Sequence, residues 1–528
     1  MNVVVRCLSE NANSGIFVSE SLSSGQVIPV RRDTVVAFLG PAPRGPVGIP
    51  ISIGSVAEYL KRFGVPGCDS PLFDAMRQFF SNGGEHAIVV RICSSARCHR
   101  IVLPGPSGAL SLEAINPGPH ELLRASIDYD GIPSADDKRF NLVVHRLASR
   151  DHPMVEQQEI YQGLSVDVAD ADYVGHALVD SGLIAVKEPI PDQRPNATFC
   201  RGIEVGVSYV YVDPGWQETG CLTDYDLIGS HTEGTGLFAL DHLSSIDLVC
   251  LVPGVRDPGQ VAIFAAERYC RKRNAILLVD PPAHWQSSRD AIGSARRTGL
   301  TSPNIVTYFP RPIDRNRSPA SILGALAGAL ASSDARDGVW TVQDVSLQIP
   351  AGTSLPCDLQ IGERQVLKQT GINALRLAGP LHLELKGLVT LNRGSGCITE
   401  WDELRLRRTT LLILDSIARG TRWTAFQDND IKTHAELRKQ VERYLHDLYT
   451  AGATGGPNRA GAGYVIVDRQ IGSTCHRNPC VSDDSTGLSF VVGFMPVGHG
   501  MQSFRFYQHP VECHIQTLHI DHPVALAS

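Results

Sequence analysis

One segment with the spacing of a phosphate-binding loop is the first candidate for chemistry in this 528-residue sequence. Gly40-Pro-Ala-Pro-Arg-Gly45 has the required glycine spacing, but Pro46-Val47 stands where the lysine and the hydroxyl residue are needed. Without that lysine nothing neutralises the terminal phosphates, so we interpret the segment as a rigid loop between a strand and a helix. No GxGxxG motif follows a predicted strand, which leaves dinucleotide binding without support.

A strand-ending aspartate is the second candidate. Asp280 follows the apolar run Ile276–Val279 at a position where catalytic acids often lie, but Pro281-Pro282 comes directly after it and favours a strand-ending role. Neither a GxSxG elbow nor an HExxH motif occurs. The sequence therefore predicts no catalytic site, and an α/β hydrolase or nucleotide-binding enzyme remains only a distant alternative.

Two cysteine pairs form the third candidate. Cys93-x4-Cys98 with His99 and Cys475-x4-Cys480 with His476 could together supply zinc ligands. Both pairs lack the tight C-x2-C spacing, and they fall in different predicted domains. We therefore expect neither a metal nor a cofactor.

Composition limits the class of protein. Hydrophobic residues make up 43% of the chain, which is enough to form buried cores, and the length corresponds to about two to four domains. A net charge of −7 argues against a protein that coats duplex nucleic acid, and 6% aromatic residues argue against a base-stacking surface. No apolar run approaches the ~20 residues of a membrane span, and the N-terminus lacks a signal-peptide core. We expect a soluble protein made in the cytoplasm.

Strands and helices alternate in two separated parts of the chain, residues 31–92 and 216–333. Such alternation predicts one α/β domain with a mainly parallel sheet. The predicted elements are strands at Thr34–Leu39, Ala87–Ile92, Ile246–Val252, Ala275–Val279 and Asn304–Phe309, and helices at Ser55–Phe63, Pro71–Phe80, Gln260–Arg271 and Pro319–Leu330.

The remaining parts of the chain differ from this domain in composition and in their predicted elements. Residues 93–215 are rich in Pro, Gly and Asp and predict a small β-rich insertion domain, with strands at Leu122–Tyr129, Phe140–Leu147 and Val205–Val212 and some helix near Asp172–Ser181. Residues 334–500 predict an α+β domain with helices at Leu404–Arg419 and Lys432–Thr450 and strands at Tyr464–Asp468 and Leu488–Val492. Residues 1–30 and 501–528 alternate weakly and predict extended arms.

The longest predicted helix, Lys432–Thr450, is amphipathic. Ala435, Val441, Leu445 and Leu448 can lie on one side, and Lys439, Arg443 and Asp447 on another.

The order of short motifs along the chain resembles the contractile tail sheath proteins of phages and phage-tail-like injection machines. Each motif is weak by itself, but their order and spacing are specific. The motifs are Phe38–Pro46, Ser55–Gly64, Asn82-Gly-Gly84, Ala87–Arg91, Asn116-Pro-Gly118, Tyr161–Ser165, Ser181–Ile184, Ala275–Pro282, Ser302-Pro-Asn304, Tyr308–Pro310, Asp337–Trp340, Gly371–Asn373 and Arg407-Arg408. His120 and Leu385-Lys-Gly-Leu388 depart from the family pattern, which bears on the subfamily.

The resemblance implies a structural subunit without enzymatic activity. Such subunits form stacked six-fold rings around an inner tail tube, between a baseplate and a tail terminator protein. Contraction of the sheath then drives the tube through the target envelope. It implies a virion tail that delivers a genome, assembled in the host cytoplasm, without direct nucleic-acid contact or membrane insertion. The alternative is a headless injection particle or secretion apparatus with the same fold.

The resemblance also implies roles for particular residues. Two extended segments would add strands to neighbouring subunits, and they comprise Asn2, Val3, Val4, Val5 and Arg6 at one end and Phe504, Arg505, Phe506 and Tyr507 at the other. Lys439 and Arg443 would face an acidic tube, although an ordinary solvated helix face explains them equally well. Thiols that could pair between subunits after release are Cys7, Cys475, Cys480 and Cys513, with buried reduced cysteine as the alternative.

Overall fold

The computed structural model describes residues 2–5, 18–21, 27–65, 70–94, 98–118, 121–148, 154–198, 222–252, 257–392, 400–456, 461–467, 488–509 and 513–518. It has the mixed α/β fold with several sheets that the sequence predicts. No helix within those ranges combines the length and the hydropathy of a membrane span.

The first part of the chain follows the predicted order closely. Its elements are β1 (Asn2–Val5), β2 (Val18–Ser21), β3 (Val36–Gly40), β4 (Ile51–Ile53), α1 (Val56–Phe63), α2 (Pro71–Ser81) and β5 (Ala87–Arg91). The α1 helix begins after Ser55, whose hydroxyl accepts the Glu58 amide at 3.1 Å as an N-cap. Pro71 opens α2 at a position where the missing amide costs nothing. Both helix predictions are confirmed.

The β-rich region, which we define as residues 98–198, forms two antiparallel sheets. Its elements are β6 (Arg100–Gly105), β7 (Gly108–Ala114), β8 (Leu123–Asp128), β9 (Arg139–Leu147), β10 (Val155–Ser165), α3 (Val174–Ala177) and β11 (Ile184–Lys187). The sheet orders are β10-β9-β8 and β11-β7-β6. The predicted strands at 122–129 and 140–147 are confirmed, but the helix near 172–181 is a single turn and four strands escaped prediction. The predicted strand Val205–Val212 lies outside the described residues.

The parallel sheet is completed by the next part of the chain. Its elements are α4 (Asp224–Ile228), β12 (Leu248–Leu251), α5 (Gln260–Lys272), β13 (Ile276–Leu278), α6 (Ser288–Thr298), β14 (Ile305–Val306), β15 (Tyr308–Phe309) and α7 (Leu323–Asp337). The strand order is β14-β13-β12-β3-β5-β4, with every pair parallel except β4–β5. Every residue of β3 and β12 is buried because both faces are covered.

Two predictions in this part need correction. The single strand predicted at Asn304–Phe309 is two short strands in different sheets, because the chain leaves the parallel sheet at Thr307. The helix predicted from Pro319 begins at Leu323 and continues across the expected domain boundary at residue 333. This helix packs closely on α2, since a Cβ added at Gly324 would lie 2.0 Å from the Ala75 carbonyl oxygen.

The last part combines two four-stranded sheets with two long helices. Its elements are β16 (Asp344–Gln348), α8 (Ile361–Gln369), β17 (Asn373–Gly379), β18 (His382–Lys386), α9 (Leu404–Gly420), α10 (Ile431–Thr450), β19 (Gly463–Val467), β20 (Leu488–Phe494), β21 (Gln502–Gln508) and β22 (Cys513–Leu518). The sheet orders are β15-β17-β18-β16 and β19-β20-β21-β22. One hydrophobic core joins α9 and α10 to the second of these sheets.

Candidate assembly surfaces

Residues that the sequence marks for chemistry serve in the structure as links between elements. The Tyr308 hydroxyl donates to the Asp280 carboxylate, which lies two residues after β13, and burial raises the Asp280 pKa while Arg311 opposes the rise. Arg311 in turn binds Asp257 at 2.5 Å. Asp280 also lines a mostly apolar cavity of about 270 Å³ beside Ile263 and Trp285. The strand predicted to end at Asp280 ends instead at Leu278, and Asp280 lies in the segment that follows it.

The loop with phosphate-loop spacing anchors the β-rich region to the parallel sheet. Arg44, in this loop, is almost fully buried and binds Glu156 of β10 at 2.5 Å. The guanidinium of Arg91 donates to the Ala42 carbonyl at 2.8 Å and to the Pro117 carbonyl at 2.6 Å. The loop is therefore held from both sides, as expected for a rigid connection.

In the first cysteine pair, Cys98 and the neighbouring His99 contact different backbone carbonyl groups. The His99 ring nitrogen Nε2 lies 2.8 Å from the Gly118 carbonyl oxygen, and the Cys98 thiol lies 3.9 Å from the Ile115 carbonyl oxygen. Cys475 and Cys480 lie outside the described residues. Among the residues the structure describes, no group of three or more His, Cys, Asp or Glu side chains is arranged to hold a metal ion.

The predicted N-terminal arm is a strand. Asn2, Val3, Val4 and Val5 form β1, which pairs antiparallel with β2 in a separate two-stranded sheet. Arg6 and Cys7 lie outside the described residues. A two-stranded ribbon has two outer edges, so β1 can pair with a further strand on the side away from β2.

The predicted C-terminal arm is an internal strand of this chain. Phe504, Arg505, Phe506 and Tyr507 belong to β21, which pairs with β20 on one side and β22 on the other. Phe504 and Phe506 are buried, and their rings stack on Phe494 and Phe490 with centroids 5.4 Å and 5.0 Å apart. Because both edges of β21 are paired, this segment is not a free arm in the single chain. A linking role for it stays a prediction.

The outer edges of the C-terminal sheet belong to β19 and β22. Most side chains of β22 are partly or fully exposed, in contrast to β20, where every residue is buried. Cys513 begins β22, opposite Gln508, and packs against the core. In the described part of the chain, β22 is thus the most exposed strand of this sheet.

Helix α10 presents its charged face to solvent. Leu437, Val441 and Tyr444 are buried against the sheet, whereas Lys439 and Arg443 are exposed. Neither cation forms a salt bridge with another described residue. The predicted apolar side is corrected at Ala435, which is exposed because the buried stripe runs instead through Leu437.

A network of buried charges, which no sequence pattern predicts, lies where the N-terminal segment, the parallel sheet and α9 meet. We call it the junction network, and its members are Arg31, Thr34, Asp247, Asp334, Arg408, Asp415 and Arg419. Arg408 of α9 binds Asp334 of α7 through two nitrogens, and the Thr34 hydroxyl donates to the same carboxylate at 2.6 Å. No local motif could reveal these pairs, since up to 374 residues separate their members along the chain.

The second half of the junction network centres on Arg31. Its guanidinium donates to Asp247 at 2.9 Å and to Ser245 at 2.8 Å, and it lies 4.0 Å from Asp415 of α9. Burial raises the pKa of Asp415 and of Asp334, with Arg419 and Arg408 respectively opposing the rise. The network therefore fixes α9 against the parallel sheet through charges that have lost most of their water.

Three solved structures that align with this chain are sheath proteins. The sheath tail protein of Listeria innocua aligns with a TM-score of 0.59 at 12% identity, over 94% of this chain and 97% of that one. The sheath tail protein of Desulfitobacterium hafniense aligns with a TM-score of 0.52 at 8% identity, over 96% of this chain and 100% of that one. The contracted helical sheath of the anti-feeding prophage aligns with a TM-score of 0.50 at 14% identity, over 93% and 97%.

These likenesses span almost the whole of each chain. The chain therefore has the fold of sheath tail proteins, which confirms the resemblance inferred from the order of its motifs. No protein-family model and no curated protein sequence matches the chain.

Proposed function

We propose that this protein is the structural subunit of a contractile tail sheath. The observation that carries the proposal is the shared fold over 94% of this chain and 97% of the Listeria sheath tail protein. Subunits would polymerise as six-fold rings around an inner tube, between a baseplate and a tail terminator. Contraction of this lattice would drive the tube through the envelope of a target cell.

Strand exchange between subunits is the assembly mechanism that we propose. Strand β1 pairs only with β2 among the described strands, and β22 leaves one edge of the C-terminal sheet unpaired. A strand donated to such an edge forms main-chain hydrogen bonds and links bodies head to tail. Asn2–Val5, with Arg6, is the donor we favour. Phe504–Tyr507 would contribute indirectly, because they belong to β21, which pairs with the receiving edge strand β22.

Helix α10 would face the inner tube. Its exposed Lys439 and Arg443 lie one turn apart and would contact acidic side chains of the tube. The double variant Lys439→Ala/Arg443→Ala should fold normally but assemble sheaths with little tube inside. The variant Glu436→Ala/Glu442→Ala, on the same helix, is the matched control. Tube-filled sheaths from both variants would contradict the assignment.

Cysteine pairing between subunits would strengthen released particles. Cys513 lies on the partly exposed edge strand β22, and Cys7, Cys475 and Cys480 complete the proposed set. Pairs of thiols that are reduced in the host would form disulfides between neighbours in the medium, with dissolved oxygen taking up the two electrons and two protons that each pair loses. Ladders on non-reducing gels that disappear with reductant would support this pairing, whereas monomer bands alone would oppose it.

The particle would be a phage tail that delivers a genome, or alternatively a headless injection system. Sheath tail proteins support the first, and the anti-feeding prophage sheath supports the second. Head and terminase genes beside the coding gene would select the phage, and toxin genes would select the injection system.

Electron microscopy of the purified protein tests the proposed function. We expect striated hollow tubes with six-fold symmetry, and discrete monomers at high concentration would contradict it. Val3→Pro and Val4→Pro form an informative pair, because neighbouring amides in a strand point to opposite edges. One variant removes an amide facing β2 and the other an amide facing outward. The outward variant should abolish tubes, and Val3→Thr and Val4→Thr should retain them.

A further inference from the structure

A basic cleft lies between helix α8 and the hairpin formed by β17 and β18. Its volume is about 270 Å³, and its charged walls are Arg364 and Lys368 from the helix and Arg376, Glu384 and Lys386 from the sheet. Four cations thus surround one carboxylate. No part of the proposed assembly mechanism above uses this cleft.

The sheet wall shows how the cleft holds a carboxylate. Glu384 and Arg376 are direct cross-strand partners, and Arg376 donates from two nitrogens to one oxygen of Glu384, with the Nε–Oε2 distance at 2.7 Å. Lys386 approaches the other oxygen at 3.2 Å. These contacts lower the pKa of Glu384, with the hydrogen bond from Arg376 as the main cause. Its single negative charge leaves the sheet wall with one excess positive charge.

The helix wall adds two more positive charges. Arg364 is anchored through Nε to the Leu359 carbonyl at 2.8 Å, and its other end lies 3.4 Å from Asp358, a carboxylate that is 87% exposed. The ammonium group of Lys368 lies against Gly387, where an added Cβ would come within 2.3 Å of Nζ. Asp344, opposite Lys386, is engaged by the Gly387 amide at 2.7 Å. The anchored arginine and the space at Gly387 keep both helix cations at the cleft.

The opposite charge is concentrated in the β-rich region. Its described residues include fourteen Asp and Glu and seven Lys and Arg, so their net charge is −7. This equals the net charge of the whole chain. Four of these acids lie at the last residue of β8 or between it and β9, in a segment that we call the acidic turn: Asp128, Asp130, Asp136 and Asp137. Asp130 and Asp137 are exposed at this end of the sheet.

We propose that the basic cleft of one copy binds the acidic turn of a second copy of this chain. Carboxylates of the turn would pair with Arg364 and Lys368 as Glu384 pairs with Arg376 and Lys386. The contact joins two different surfaces, so it repeats head to tail and extends a lattice rather than closing a dimer. The biological role of this contact rests on the proposed sheath function. Within a sheath it would be an electrostatic contact between subunits that salt weakens.

A charge-reversal experiment tests this contact within the assembly. Arg364→Glu/Lys368→Glu should weaken polymerisation about tenfold in sedimentation at low salt, and Asp130→Lys/Asp137→Lys should do the same. Combining all four substitutions should restore it. Arg296→Glu/Arg297→Glu on α6 changes the same charge at exposed positions and should have no effect. Polymerisation of the cleft variant at the parental level, or failure of the combined variant to recover, would overturn the proposal.

A peptide assay keeps this test independent of the sheath function. A labelled peptide of residues 126–137 should bind the full-length chain in fluorescence anisotropy, about tenfold more weakly to Arg364→Glu/Lys368→Glu. The same peptide with its four aspartates replaced by asparagine should not bind. If the parent chain forms no tubes but binds the peptide, the sheath function fails and the cleft assignment holds. Equal binding of both peptides, or of neither, would overturn the assignment.

Discussion

Asp334 and Asp167 each hold a cationic side chain, but they do so in opposite surroundings. In the junction network the Asp334 side chain is 0% exposed and that of Arg408 is 4% exposed. In the β-rich region, Asp167 and Lys138 form a pair at 2.5 Å with side chains that are 38% and 48% exposed. The bond lengths are similar, so the difference between the pairs is the water around them.

This difference decides what each pair contributes. An exposed pair competes with water and salt and adds little to stability, whereas a buried charge without its partner has nothing to replace the lost hydration. The junction network therefore makes its elements depend on one another, α7 and α9 with the segment before β3. The exposed ion pairs of the β-rich region add little to its stability, so substitutions that change its surface charge should be tolerated.

The largest effect is expected at the junction. Asp334→Ala removes the one carboxylate that pairs with Arg408 in the described part of the chain, and it should lower the free energy of unfolding by about 3–5 kcal/mol, because a buried guanidinium is left uncompensated. Urea unfolding followed by tryptophan fluorescence measures it. The double variant Asp334→Leu/Arg408→Leu should lose much less. If Asp334→Ala were as stable as the parent, the proposed difference between buried and exposed ion pairs would be wrong.

An intermediate effect is expected where the two regions meet. The Arg44 side chain is 5% exposed and its partner Glu156 is 29% exposed, so the pair is partly desolvated. Arg44→Ala should cost about 1–3 kcal/mol and loosen the β-rich region before the parallel sheet. Hydrogen exchange of β9 and β10 would show this, with Arg44→Lys as the control that keeps the charge. Uniform exchange across the molecule would contradict the expected boundary.

Acidification should have opposite effects on the stability of the two regions. Hydrogen bonds from Lys138 and Arg139 lower the pKa values of Asp167 and Asp170 below the ordinary 3.8, so their contribution is present above pH 3.8 and is lost as pH falls through the lowered values. Burial raises the pKa values of Asp334 and Asp415, so their contribution is complete at low pH and is lost as pH rises through the raised values.

Hydrogen exchange at pH 5 and pH 2.5, followed by pepsin digestion, tests this order. Protection should fall first in residues 98–198 on acidification. Loss of protection in α7 and α9 before the β-rich region would reverse the assignment.

The smallest effect is expected from the exposed pair itself. Asp167→Asn should leave the thermal midpoint close to that of the parent, because both partners remain solvated. Differential scanning calorimetry at low and high salt measures it, and any small shift should vanish at high salt. A shift as large as that of Asp334→Ala would show that exposure is not the deciding variable.

Much of the fold was predictable because local patterns specify it. Continuous apolar runs identify β3 and β12, and the Ser55 cap with Pro71 locates α1 and α2. The strands that escaped prediction carry weaker signals. In β10, for example, polar residues predominate and the longer part of the strand is exposed, so neither the alternation nor the apolar content marks a strand.

The candidate surfaces depended more on the tertiary structure. That Lys439 and Arg443 share one face of a long helix follows from the sequence alone, since helical spacing is local. The extended character of Phe504–Tyr507 follows from the sequence as well. That this segment is paired on both edges, with Phe504 and Phe506 in the core, was decided only when β20 and β22 came to lie beside it.

Only the folded chain brings Arg408 to Asp334 and Arg364 to Lys386. The physical reason is that periodicity and capping act over a few residues, whereas burial, register and charge pairing depend on which distant elements meet.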